Sequence, residues 1–173
     1  ERFGSEANWS ERTSALLREH GFNGLGAWSD VERLREVSPP LVYTRTWSFM
    51  SSYGKKRGGT FQQPGHIGYP KDCIFVFDPG FESFCDQYAK SLAAEKADPW
   101  LLGHFSDNEM PLSRAALKNY LQLPEREPGQ QAALNWLRER HGEKATAKDI
   151  TDKDEADFLA LVEAAIDREG ADR

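Results

Sequence analysis

The sequence predicts an α/β fold with parallel strands. Segments with helical period alternate with short strand-like segments over the first 112 residues. The strand-like segments are apolar runs of the kind that are covered on both faces. Gly, Pro, Asp and Asn punctuate the joins between them. At 173 residues, with 39% hydrophobic content, five Trp and ten Phe, the chain has the size and apolar surface of a single domain over 1–173.

Trp9, Thr13, Leu16, Leu17 and His20 recur at helical spacing, with Asn8 as N-cap, Glu11 three residues on and Gly21 at the close. GFNGLGAW, residues 21–28, reads as a short buried strand whose glycines permit close packing. Ser29 and Glu32 form a capping-box pattern for a brief helix over 30–37, stopped by Ser38-Pro39-Pro40. LVYTRTW, 41–47, is the second strand. Residues 48–72, rich in glycine and without a sustained period, predict a long loop, and loops of that length are often lids or binding segments. CIFVF, 73–77, fits either a strand or a packed loop segment.

Asp78-Pro79 marks the start of a helix running to about Lys96, with Phe81, Phe84, Cys85, Tyr88 and Leu92 on one face. Asp98-Pro99 breaks it, and 100–106 is the third strand. Further helices follow over about 114–121, 129–141 and 153–168, the last with Phe158, Leu161, Val162, Ala165 and Ile166 aligned. Three parallel strands are few for a sheet that needs neighbours and flanking helices.

Composition excludes several classes. Lys plus Arg total 22 against 28 acids, a net charge of -6, which argues against a broad nucleic-acid surface. No run approaches the length of a membrane span, and no secretory leader pattern opens the chain. Cys73 and Cys85, twelve positions apart, match no zinc signature and demand no disulfide. Neither a metal nor a cofactor is called for. The chain begins at Glu1 rather than Met, as a processed chain or an excised piece would.

LLGHFSDNEMPL, 101–112, carries the chemistry. An apolar run ends in Asp107, Asn108 and Glu109, two carboxylates flanking an amide. The plain reading is a helix N-cap, a turn residue and a first-turn acid. Met110-Pro111-Leu112 does not read as a helix start, however, so the run delivers polar groups to a strand end. There an acid in a partly dry setting can be tuned toward proton transfer at neutral pH. Strict alternation would send Asn108 and Glu109 to opposite faces, so the strand must kink or end there for both to reach one ligand.

GFNGLGAWSD, VFDPGFESF and DPWLLGHFSDNEMP, in this order, resemble the agarase-like branch of the retaining (β/α)8 glycoside hydrolases, and ALNWLRERHGE fits the same family. The resemblance implies a partial (β/α)8 TIM barrel, here its N-terminal half, with extra helices after the acid/base strand. It implies retaining hydrolysis of a β-linked galactan such as agarose, without cofactor, in a secreted or periplasmic protein. It makes Glu109 the acid/base and Asn108 the partner of the sugar 2-hydroxyl, with Asp107 orienting its neighbours. The family's nucleophile, a second glutamate on a later strand, has no counterpart here. The other half of the barrel, from a longer chain or another chain, is therefore an implied partner beside the polysaccharide.

Trp28 and Trp47, at strand ends, are candidates to stack on a sugar, as against ordinary core packing. His66, in the long loop, is a candidate substrate contact, as against an exposed loop residue. His104 reads as packed in mid-strand and bonded to a neighbour, and Lys55 to Arg57 as a solvated basic run or a contact for an anionic sugar. Asn8-Trp9-Ser10 matches a glycosylation sequon. Two other readings stand beside the hydrolase: a noncatalytic carbohydrate-binding or scaffolding protein lacking the nucleophile, and a hydrolytic enzyme whose acidic cluster holds Mg or Ca.

Overall fold

The computed structural model describes residues 2–58, 71 and 73–171. Among them the chain forms seven α-helices and a three-stranded parallel sheet, divided between two compact units.

The first unit comprises the residues up to Ser48 together with Leu92–Asn108. Its opening helix, α1, spans Glu6–Glu19. The N-cap is Ser5 rather than Asn8: Ser5 is extended, and its hydroxyl accepts the Asn8 amide at 3.1 Å. Gly21, at φ 81°, follows the helix end as expected. Trp9 and Leu17 pack onto the core while Ser10 and Ser14 are buried, and Leu16 turns out to solvent.

The strand expected over 21–28 contracts to β1, Gly24–Leu25. A Cβ on Gly24 would lie 3.0 Å from the Val42 side chain, so glycine lets β1 approach its neighbour. Helix α2, Val31–Leu34, is capped by Asp30, whose carboxylate accepts the Arg33 amide, and not by Ser29. Strand β2 spans Val42–Thr46 and β3 spans Leu101–Phe105. The order is β1-β2-β3 with both pairs parallel. Leu25, Val31, Leu34, Leu41 and Tyr43 form the core, joining one sheet face to α1 and α2.

The expectation of strands covered on both faces fails for β3. Of β3 only Leu101 packs against the core, while Leu102, His104 and Phe105, further along the strand, are exposed. The register also shifts: Tyr43 pairs with Leu101 but Thr44 with Gly103, so Leu102 is an extra, bulged residue. Beyond it His104 lies opposite Arg45, and Phe105 opposite Thr46.

The second unit comprises Phe49–Ser91 and Glu109–Arg173. The first part of the expected long loop is a helix, α3, Phe49–Arg57. It forms because Phe49, Met50 and Tyr53 share a buried face. The Tyr53 ring lies 5.2–5.5 Å from those of Phe75, Phe81 and Phe84. CIFVF is a packed loop segment with Cys73, Ile74 and Phe75 buried, and the Phe75 amide points at the Met50 sulfur.

Asp78 does not cap the following helix. It pairs with Arg57, which also binds Glu127, and α4 starts later, at Phe81–Ala89, without a side-chain cap. A 3₁₀ segment, Lys90–Glu95, succeeds α4. Helices α5, Ala116–Leu121, α6, Pro128–His141, and α7, Asp152–Ala171, follow the sequence pattern closely. Leu117, Tyr120, Leu137, Phe158 and Val162 fill their shared core. The buried Glu155 accepts the Leu117 amide at 2.9 Å and so caps α5 from α7.

Candidate active site

Parallel pairing brings the C-terminal ends of all three strands to one edge of the sheet, where open and closed α/β folds carry their chemistry. Trp28 follows β1, Trp47 and Ser48 follow β2, and Ser106 to Glu109 follow β3. Three of these residues hold left-handed backbone: Trp28 at φ 61°, Ser48 at 56° and Glu109 at 47°. Among the described residues only one other non-glycine, Lys71, does so. Such conformations cost about 1 kcal/mol or more each, and they concentrate at functional sites.

The acidic cluster is not a helix cap. Strand β3 ends at Phe105, the next helix begins at Ala116, and no helix follows Asp107 directly. The regular alternation of β3 stops at Phe105, before Asn108 and Glu109, and Glu109 itself holds left-handed backbone at φ 47°. Asp107 is half-buried, whereas Asn108 and Glu109 are exposed. The partly dry setting expected for Glu109 is therefore not seen, because the packed strand stops four residues before it.

Upstream, β3 is fixed by charged groups that are themselves matched. Tyr43 donates its hydroxyl to Asp98 at 2.9 Å, Arg35 donates to the same oxygen at 2.6 Å, and Asp98 accepts the Trp100 amide at 2.9 Å. That amide, then the Tyr43 hydroxyl, holds the Asp98 carboxyl below its ordinary range. Burial, then the bond to Asp98, pushes the Tyr43 phenol up to about 12. Arg45 is bound by Glu95 and by Glu32. Asp98 thus sets where β3 begins, and with it where residues 107–109 emerge.

Trp28 is 76% exposed at the end of β1. Trp47 is half-buried and tied to β3 twice: its amide donates to the Phe105 carbonyl at 3.0 Å and its indole Nε1 to His104 Nδ1 at 2.8 Å. His104 is bonded to a neighbour as expected but is exposed rather than packed in mid-strand. His66 lies outside the described residues. The basic run closes α3, with the Lys56 ammonium over the Phe84 ring at 5.2 Å and Arg57 held by Asp78 and Glu127.

No group of three or more His, Cys, Asp or Glu that could hold a metal ion occurs among the described residues. A groove of about 770 Å³ runs between α1 and residues 33–38, and one of about 600 Å³ between α5 and α7. Neither includes a strand-end residue.

Sequence reasoning missed Ser48 and the tether between His104 and Trp47. A serine carries no mark of left-handed backbone, and the tether depends on a register that the bulge at Leu102 resets.

No family profile matches the chain, and no curated protein matches it in sequence. Its architecture has a counterpart in the crystal structure of BpGH50, a glycoside hydrolase family 50 protein, with a TM-score of 0.73 and 22% identity over 96% of this chain. The chain spans 39% of the length of that solved protein. The chain thus shares the fold of the corresponding part of that protein.

Proposed function

We propose that this chain carries the acid/base side of a glycosidase active site, with Glu109 as the proton donor and a β-linked galactan or related polysaccharide as substrate. The observation that supports it is the placement of Asp107-Asn108-Glu109 just past the end of a parallel strand, in a fold shared with a glycoside hydrolase. In the retaining reaction Glu109 protonates the glycosidic oxygen as the bond to it breaks, then takes a proton from the water that attacks the glycosyl intermediate. Asn108 hydrogen-bonds the sugar hydroxyl beside the reacting carbon, a contact that strengthens as positive charge develops there. Asp107 orients the two.

The nucleophile must stand about 5–5.5 Å from the acid/base, and it belongs to the remainder of a (β/α)8 barrel that this chain would complete with further strands. A second reading, noncatalytic carbohydrate binding, has one observation in its favour. Among the described residues, the ends of β1 and β2 carry Trp28, Trp47 and Ser48 but no free carboxylate, since Asp30 caps α2 and pairs with Arg33.

The test compares Glu109→Gln with the parent in the full-length protein that carries the remaining strands, on oligosaccharides and on aryl glycosides whose leaving groups need no proton. Loss of turnover confined largely to the oligosaccharides supports the acid role, and equal losses on both refute it. Binding of oligosaccharide with no turnover of either substrate supports the second reading instead.

A further inference from the structure

We propose that Trp47 and His104 form a sugar-binding subsite at the strand ends, in which the indole is the platform and His104 Nε2 is a hydrogen-bond donor to a ring hydroxyl. The proposal rests on the carbohydrate reading above, adds His104 to it and gives the pair a defined chemistry.

The register places His104 opposite Arg45, and Trp47 lies two residues beyond Arg45, so both side chains stand on one face of the sheet. An indole N–H can only donate. At 2.8 Å from Trp47 Nε1, His104 Nδ1 must therefore present its lone pair, and the proton of the neutral ring sits on Nε2. His104 is exposed, and its Nε2 has no partner among the described residues. The two rings are 5.8 Å apart and inclined at 57°, so the imidazole meets the indole at its nitrogen edge and does not stack on it.

An aromatic ring beside an outward N–H donor matches a pyranose, which offers a C–H face to the ring and hydroxyl oxygens at its rim. The neighbouring cation does not redirect the site toward anions, because Arg45 is bound by Glu95 and Glu32. The ligand is an uncharged sugar unit, held by its hydroxyls.

Nitrogen-detected NMR of the free protein should show His104 protonated at Nε2 and unprotonated at Nδ1 near neutral pH, and Trp47→Phe should return the ring to a mixture of both tautomers. A ring protonated at Nδ1 in the parent protein would overturn the proposal. On titration with agarotetraose, the Trp47 indole N–H and the His104 ring should shift, and His104→Ala should weaken binding about tenfold. If the tetrasaccharide shifts the Asn108 amide but leaves Trp47 and His104 unmoved, the subsite is refuted while the glycosidase reading stands. If it shifts nothing, both fall.

Discussion

The Tyr43 hydroxyl donates to Asp98 across 2.9 Å, joining the middle strand of the sheet to the residue from which β3 starts. Tyr43 is fully buried, so its hydroxyl has no water to turn to. Tyr43→Phe should lower the unfolding free energy by about 1 kcal/mol and the melting temperature by about 2–4 °C, measured by urea and thermal denaturation. Asp98 keeps Arg35 and the Trp100 amide in that variant, which limits the loss.

Gly129, in the first turn of α6, faces the Tyr120 ring. A Cβ there would sit 2.7 Å and 2.9 Å from two ring carbons, and the ring cannot retreat because its hydroxyl is bonded to the Ile74 carbonyl at 2.5 Å. Gly129→Ala should destabilise the protein by about 1–3 kcal/mol despite the better helix propensity of alanine. An unchanged denaturation midpoint would show that the packing there is looser than described.

Asp154 gives the protein a definite acid sensitivity. The Thr151 hydroxyl, then the Thr151 amide, with His141 beyond them, lowers its pKa from 3.8 to about 2. The folded state therefore favours the charged form, and the stabilisation is complete above about pH 4 and lost as the pH falls through about 2. Unfolding free energies of the parent and of Asp154→Asn, compared over this range, should differ most at the upper end and converge at the lower. A constant difference would mean that the carboxylate acts through shape and not charge.

Glu109 holds left-handed backbone without being glycine, so its local conformation opposes folding. Glu109→Gly relieves that strain and adds chain entropy to the unfolded state. The sum should lie between zero and about 1 kcal/mol of added stability, and the proton-donor role proposed for Glu109 predicts that activity falls with it. Thermal denaturation beside an activity assay checks this, and a clear fall in melting temperature would assign Glu109 a structural role.

The sequence is most legible where one physical cause acts alone. Helices α6 and α7 lie where the sequence predicts them, although Leu161 of the expected α7 face is exposed, and the end of β3 is bracketed by Asp98-Pro99 and Met110-Pro111. Legibility fails where a distant partner decides. Asp78 looks like a helix cap until Arg57, twenty-one residues earlier, takes it up. Helix α3 is hidden because Phe49, Met50 and Tyr53 are separated by serines and followed by glycine and lysine, a weak pattern that only the aromatic cluster around Tyr53 makes stable. In the candidate site, Asp107-Asn108-Glu109 could be located from residues 98–112 alone, whereas the tether from Trp47 to His104 could not, because it spans fifty-seven positions and two strands.

Leu102 gives β3 one residue more than its neighbour, and everything beyond it inherits that offset. Were the count even, His104 would point away from Trp47, and the indole would lose its acceptor although every side chain at the rim remained the same. The interval from Asp98 to Asn108 therefore has a parity as well as a length: substitutions within it are tolerable one by one, but a single-residue deletion or insertion inverts the whole edge.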